Sequence, residues 1–277
     1  MRGRGSLEIG CSGFSYRDWM GTFYPPGTRR SELLSFYERY FSVVEVNYTF
    51  YSMPHPYTME GFLERTKRLR FAVKVNRLFT HERRFTRSDA ERFLEGCAPL
   101  TESGRFIAFL FQFPQSFHYS PESVDFIGRL SETFGDYRKA VEVRSRSFGR
   151  AEFYREMEEM GLSLVNVDAP KVRGILVGPW RSVGEFNYVR LHGRNRERWF
   201  EAEESYERYD YLYPEKELRE LKDRIERIRE GKETYVFFNN HYRGKAALNA
   251  LKLKELFGEK VRIPAGLIAS LSERLWE

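Results

Sequence analysis

Carboxylate, amine, guanidinium and imidazole groups recur at every second position near the ends of short apolar runs in this sequence. The pairs are Glu45 and Asn47, Lys74 and Asn76, Glu142 and Arg144, Asn166 and Asp168, and Arg190 and His192, with Gln112 alone on its run. Successive side chains of a strand face opposite sides of a sheet, so each pair shares a face. Buried polar groups need partners, so these side chains must satisfy one another, water or a ligand.

Two carboxylates and one imidazole in this set have the chemistry of an acid/base pair. We expect Glu142, or Glu45, to act as the general base and His192 to be its partner in proton transfer. Arg190 and Lys74 would balance negative charge in the transition state. The reaction class that follows is hydrolysis of a phosphoester or glycosidic bond, in nucleic acid or in a sugar phosphate.

Other side chains near the ends of the runs are predicted to bind the substrate. With Lys74 and Arg190 they are Asn47, Gln112, Arg144, Asp168, Asn239, Asn240, His241, Tyr16 and Trp19. Aromatic rings next to arginine can stack on a sugar or an unpaired base, although loop packing explains single rings equally well. The turn at 241–245 carries Arg243 and Lys245, at a place where barrel proteins often bind phosphate.

A metal centre is a weaker interpretation of the same residues. Glu142, Asp168, His192 and His241 could converge as ligands. However, the sequence has no HExxH motif or clustered acidic run, and the nearby cationic side chains would repel a metal ion. We therefore expect no cofactor and leave a divalent metal as the alternative.

Eight strand-like runs alternate with helix-like segments along the chain. The runs are 7–13, 43–51, 70–76, 105–114, 139–145, 162–168, 186–193 and 234–240. This alternation predicts parallel pairing, and 277 residues are close to the size of a (β/α)₈ barrel. A doubly wound open sheet is less favoured because the first turn is not glycine-rich. We predict an α/β protein with a single TIM-type barrel domain over residues 1–277.

Two connections in this predicted barrel are irregular. Residues 169–185 contain no long amphipathic pattern, so the sixth unit should lack a regular helix. Residues 194–218 form a long aromatic and charged connection that includes Trp199. In a barrel of this type the carboxyl ends of the strands and the loops after them form the active face. The polar strand ends and the long loop should therefore lie on the same side.

The composition favours anionic partners and a reducing compartment. The net charge is +6 with an isoelectric point of about 9.2, which favours an anionic small molecule or nucleic acid. Cys11 and Cys97 indicate no disulfide framework. The longest apolar run, 106–113, is far shorter than the roughly 20 residues that span a bilayer. We expect a soluble, cytoplasmic protein with no membrane partner.

Six motifs, in this order, resemble those of the DUF72 (YecE-like) family. They are GCSGFSYRDWMGTFYPPG (10–27), VEVNYTFYSMP (44–54), FAVKVNRLFTHERR (71–84), YVRLHGRN (188–195), RYDYLY (208–213) and FFNNHYRGKAALNA (237–250). The resemblance covers about residues 9–268 and implies a TIM barrel but no particular reaction. The chain departs from the familiar motif at Cys11 and Phe14.

The resemblance marks many of the candidate residues as typical of the family. They are Glu45, Asn47, Lys74, Glu142, Arg190, His192, Asn239, Asn240 and His241. Two alternatives to the hydrolase remain open: a barrel that binds nucleic acid or protein without catalysis, and a metal-dependent, isomerase-like enzyme. An enzyme needs a concave site that excludes water, whereas a binding module needs a broad basic surface.

Overall fold

The strands of the computed structural model, which describes residues 5–197 and 207–272, form one closed barrel. Each strand pairs in parallel with the next in the chain, and the last pairs with the first. The strands are β1 Leu7–Ser12, β2 Val43–Val46, β3 Arg70–Lys74, β4 Phe106–Gln112, β5 Lys139–Glu142, β6 Ser163–Asp168, β7 Asn187–Leu191 and β8 Thr234–Phe238. The predicted eight-stranded barrel is confirmed.

Helices connect the strands and pack on the outside of the barrel. They are α1 Leu33–Tyr37, α2 Pro56–Glu64, α3 Arg87–Glu102, α4 Pro121–Thr133, α5 Ala151–Glu159, α6 Glu215–Ile228, α7 Lys245–Leu256 and α8 Ala265–Ser272. In α6, Leu218, Leu221 and Ile225 recur every three or four residues and are buried. Within the described residues, no helix is long and apolar enough to cross a membrane.

The sixth unit has no helix between β6 and β7, as the sequence predicts. Its irregular segment is fixed to the outer face of β6, where Asn166 donates to the backbone oxygen of Arg181 at 2.9 Å and accepts from its N–H at 2.8 Å. The Trp180 indole donates to the Val167 carbonyl at 3.1 Å, and the Arg224 guanidinium stacks on the Trp180 ring at 3.9 Å. Side-chain hydrogen bonds replace a helix here.

The inside of the barrel has an apolar layer below a polar one. The apolar layer includes Val43, Ala72, Leu110, Ala140, Val165, Tyr188 and Phe237. Two residues further along five of these strands lie Glu45, Lys74, Gln112, Glu142 and Arg190. Since side chains two apart face the same way, the polar residues form the next layer, toward the carboxyl ends of the strands. We call this end of the barrel the mouth.

Candidate binding and acid/base site at the mouth

Arg190 is the centre of a buried ion-pair cluster. Its Nε and Nη2 donate to the two carboxylate oxygens of Glu45 at 3.0 and 2.8 Å, and its Nη1 donates to Oε2 of Glu142 at 2.6 Å. The Tyr188 hydroxyl donates to Glu45 at 2.7 Å. Arg190 is only 2% exposed, and both carboxylates are fully buried. The guanidinium is therefore already balanced by protein carboxylates, which disfavours the predicted role of Arg190 in balancing the charge of a substrate.

The same cluster keeps both glutamates ionised. Burial alone would raise the pKa of Glu45, but the charge and hydrogen bonds of Arg190 outweigh it and lower that pKa. Burial acts in the same way on Glu142, whose pKa is brought well below its ordinary value by Arg190, Arg144 and His192. A carboxylate with a lowered pKa is a weak general base, so this geometry disfavours the role expected for Glu142.

His192 is a neutral imidazole that is placed beside Glu142. Its Nδ1 lies 2.9 Å from Nδ2 of Asn239, and its Nε2 lies 3.6 Å from Oε1 of Glu142, beyond hydrogen-bond distance. Burial lowers the pKa of His192 to about 4; Glu142 opposes that change, and Arg190 adds to it. Nε2 is buried and makes no hydrogen bond to any described residue.

Lys74 is the cation of the mouth that lacks a carboxylate contact among the described residues. Its Nζ donates to Oε1 of Gln112 at 2.8 Å and lies 3.9 Å from the centroid of the Phe50 ring. Gln112 is oriented in turn by its own hydrogen bond to the Phe113 carbonyl, at 2.7 Å. Burial, with repulsion from Arg190 and Arg144, lowers the pKa of Lys74 to about 7. The side chain is nevertheless partly exposed.

Arg144 is the more open of the two guanidiniums at the mouth. Its Nε donates to Oε1 of Glu142 at 2.9 Å, and its side chain is 22% exposed, against 2% for Arg190. In the part of the chain that is described, its two terminal NH₂ groups donate no hydrogen bond. The planar, forked end of Arg144 can therefore accept a carboxylate or phosphate.

Neutral polar atoms and rings lie after β2, β7 and β8. Oδ1 of Asn47 and Nδ1 of His241, like Nε2 of His192, are buried and have no hydrogen-bond partner within residues 5–197 and 207–272. The ring of His241 stacks on Tyr16 with centroids 4.3 Å apart, and the Tyr209 ring lies 5.7 Å from His241 and 5.9 Å from His192. These groups suit a ligand that carries hydroxyl groups.

Asp168 points away from the mouth, which corrects its predicted place inside the barrel. Its strand partner is Leu191, in the core between the strands and the helices, whereas Val167 pairs with the inward Arg190. The Asp168 carboxylate accepts hydrogen bonds from Arg194 at 2.9 and 3.0 Å and from Arg224 at 3.1 Å. The two-residue pattern of β6 is thus one position out of phase with that of its neighbours.

Asn240 and Trp19 also lie outside the predicted binding surface. Asn240 faces α7 and donates to Asn249 at 2.9 Å and to the Tyr211 carbonyl at 2.8 Å. Trp19 is fully buried and donates to the His241 carbonyl at 2.7 Å. Both side chains are occupied by contacts that hold the loops, which disfavours their predicted contact with a ligand.

The turn after β8 already carries two carboxylates where a phosphate site was expected. The backbone N–H of Arg243 donates to Asp18, and the ammonium of Lys245 pairs with Asp210. The alternative of a metal centre gains no support from the geometry: across residues 5–197 and 207–272 no group of three His, Cys, Asp or Glu side chains could hold a metal ion. Trp199 lies outside the described residues.

Three residues that the sequence interpretation missed shape the mouth. Tyr188 stands two residues before Arg190, so the alternation in FNYVRLHG could have found it. His81 lies in the turn Leu78–Glu82 after β3, 4.8 Å from the Phe50 ring, and burial together with the charge of Lys74 lowers its pKa to about 4. The contact between the Phe50 ring and the Lys74 ammonium could be recognised only from the fold.

A separate groove of about 560 Å³ lies on the outer surface, between α5 and the segment before β7. Its walls include Tyr154, Arg155, Trp180 and Arg181. None of the predicted site residues lines this groove, and no buried ion-pair cluster opens into it among the residues that the structure describes. The convergent chemistry is at the mouth.

Parallel strands closed in chain order, with charged groups gathered at their carboxyl ends, define a (β/α)₈-barrel protein. The chain belongs to the DUF72 family, described as "Protein of unknown function DUF72", which matches residues 8–270. Its curated relatives include the UPF0759 protein YunF of Bacillus subtilis (strain 168), which is 29% identical over 268 residues, 90% of this chain and 94% of that protein.

Solved structures of the same family share the fold. A DUF72 family protein from Thermotoga maritima MSB8 is 40% identical, with a TM-score of 0.83 over 92% of this chain and 100% of that chain. A DUF72 family protein from Enterococcus faecalis V583 is 27% identical, with a TM-score of 0.81 over 92% of this chain and 97% of that chain. The resemblance seen in the sequence motifs is thereby confirmed, and it carries no assigned reaction.

Proposed function

We propose that the mouth binds a small anionic molecule that carries hydroxyl groups, such as a phosphorylated sugar. The observation that carries this proposal is that Lys74 on β3 and Arg144 after β5 are two partly exposed cations, close enough for Arg144 to lower the pKa of Lys74. The Lys74 ammonium has no carboxylate partner in the described residues, and Arg144 keeps two free NH₂ groups. An anion between them would supply the missing counter-charge.

The charge balance of the buried layer supports an anionic ligand. Lys74, Arg144 and Arg190 stand against two carboxylates, Glu45 and Glu142, so the named groups carry one excess positive charge when Lys74 is protonated. The lowered pKa of Lys74, at about 7, results from burial and from these neighbouring cations. A bound anion would raise that pKa again, and this gain in free energy favours binding.

The neutral side of the mouth supports a ligand with hydroxyl groups. Asn47, His192 and His241 each have a buried atom without a hydrogen-bond partner in the part of the chain that is described, and a hydroxyl can both donate and accept. The Tyr209 ring lies 5.9 Å from the His192 ring and 5.7 Å from the His241 ring, so this part of the mouth is also aromatic. Because these groups lie at the end of the barrel rather than over a broad surface, a small molecule fits them better than nucleic acid does.

The geometry supports binding better than hydrolysis. Arg190 holds both glutamates ionised, so neither has the raised pKa of a general acid. The pKa of His192, at about 4, makes this imidazole a weak base as well.

Calorimetric titration tests this proposal with glucose 6-phosphate, inorganic phosphate and unphosphorylated glucose as the probes. We expect saturable binding of the two phosphates, weakened roughly 10- to 100-fold by Arg144→Gln, since a charge-assisted hydrogen bond contributes about 1.5–3 kcal/mol. Arg155→Gln, in the exposed outer groove, is the matched control and should bind like the wild type. Equal binding by Arg144→Gln and wild type, or no binding of either phosphate, would overturn the proposal.

A further inference from the structure

The amine of Lys74 has neutral neighbours, which suits a nucleophile better than a partner in an ion pair. Its Nζ has one hydrogen-bond acceptor, the neutral amide of Gln112, and lies over the face of the Phe50 ring. No carboxylate among the described residues is in ion-pair contact with it. Neutral neighbours leave the nitrogen lone pair available once the proton is lost.

The charged groups that face Lys74 come from several elements of the barrel. Arg190 on β7 and Arg144 after β5 disfavour the ammonium form, whereas Glu142 on β5 and Glu45 on β2 favour it. Gln112 on β4 and Phe50 after β2 carry no charge. Both carboxylates are already bound by Arg190, so their effect on Lys74 is the smaller one.

Lys74 is also within reach of a ligand. Its side chain is partly exposed at the mouth, unlike the fully buried Glu45 and Glu142 below it. The Phe50 ring contacts both Lys74 and His81, so the amine is held in an aromatic recess at the rim. A ligand whose anionic group is bound by Arg144 would place its carbon chain near this amine.

We propose that Lys74 captures the carbonyl carbon of the bound molecule as an imine. This inference rests on the proposed anion site and narrows its ligand to an aldehyde or ketone that carries phosphate or carboxylate, such as an open-chain sugar phosphate. It makes Lys74 a covalent participant rather than a counter-ion alone.

The step balances without any further reactant. The lone pair of the neutral Nζ attacks the carbonyl carbon, a C–N bond forms, and the electrons of the C=O π bond move to oxygen. The nitrogen loses its two protons to the former carbonyl oxygen, the C–O bond breaks, and one water leaves. The product is a C=N double bond between Lys74 and the ligand.

Reductive trapping tests the inference on the whole protein. Wild type is incubated at pH 7.5 with glycolaldehyde phosphate or neutral glycolaldehyde, with sodium cyanoborohydride to reduce the imine, and the modified lysines are located by peptide mass spectrometry. We expect Lys74 to react at least about tenfold faster than the exposed Lys216, because an amine with a pKa of about 7 is largely neutral at this pH. Lys74→Met should lose only this label, whereas Lys216→Met should retain it.

The outcomes separate this inference from the proposed function. Fast labelling of Lys74 by glycolaldehyde phosphate, slowed by inorganic phosphate, supports both. Equal labelling by both aldehydes, without protection by phosphate, supports the imine and overturns the anion site. If phosphate binds by calorimetry but Lys74 is labelled no faster than Lys216, the imine is overturned and the anion site stands.

Discussion

The two ends of the barrel differ in how completely their cationic side chains are paired with carboxylates. At the amino end of the strands, Arg70 pairs with Glu8 at 2.7 Å and lies over the Tyr235 ring at 5.3 Å. Arg138 pairs with Glu233 at 2.8 Å at the same end. Each of these guanidiniums therefore has both a carboxylate and an aromatic neighbour.

At the mouth the pairing is complete only in the buried layer. Arg190 is held by Glu45 and Glu142, but Lys74 above it has no carboxylate contact in the described residues, and Arg144 shares one that Arg190 already uses. Unpaired cations lower stability, and sites that bind ligands commonly retain such a cost. The comparison indicates that the amino end serves folding and the mouth serves a ligand.

The largest effect is expected at Arg190, whose buried ion pairs should contribute to the stability of the protein rather than to ligand binding. Arg190→Met should destabilise the protein by about 3–5 kcal/mol, because two fully buried carboxylates lose their counter-charge. Urea unfolding at pH 7 measures the loss. The variant with Glu45→Gln and Glu142→Gln added should recover part of it; no recovery would show that the cost is one of packing rather than of charge.

Replacing Lys74 should stabilise the protein, whereas replacing Arg190 should destabilise it. The size of the stabilisation should depend on pH. Because the pKa of Lys74 falls from 10.5 to about 7 on folding, the unfolded chain binds more protons between these pH values, and stability should rise with pH across this range. Lys74→Met should therefore be more stable than wild type at pH 6, by roughly 1–2 kcal/mol after allowance for its partial exposure. Urea unfolding at pH 6, 8 and 10 should show this advantage shrinking. A constant difference would mean that Lys74 is not electrostatically strained.

The smallest effect is expected at the amino end. Arg138→Gln should cost only about 0.5–1 kcal/mol, since its side chain is 28% exposed and that of its partner Glu233 is 43% exposed. Thermal unfolding should show the loss, while the binding of glucose 6-phosphate stays unchanged. Weaker binding in this variant would contradict the assignment of stability to the amino end and of ligand binding to the mouth.

The sequence predicted the barrel because period and alternation are local properties. Apolar runs of strand length, separated by helical patterns, leave few other folds for the chain, and the missing sixth helix was visible as a missing amphipathic pattern. The same period placed Glu45, Lys74, Gln112, Glu142 and Arg190 together inside the barrel. These are properties that neighbouring residues determine.

The sequence-based predictions were wrong where a contact with a residue distant in the chain determines which face of a strand is polar. In β6 the outward Asp168 is bound by Arg194 and by Arg224 of α6, and polarity alone cannot distinguish such a cluster from a polar lumen. Asn240 is occupied by α7 in the same way. The neutralisation of Arg190 was equally hidden, since it depends on carboxylates 145 and 48 residues away in the chain.

The most direct test of an anion-binding mouth is the pKa of Lys74 itself, measured by NMR with ¹⁵N-labelled lysine in the presence and absence of glucose 6-phosphate. The predicted result is a pKa of about 7 in the free protein that rises when the phosphate is bound but still leaves part of the amine neutral at pH 7.5. A pKa near 10.5 in the free protein, or a pKa that the phosphate leaves unchanged, would contradict the claim that a bound anion supplies the missing counter-charge of Lys74.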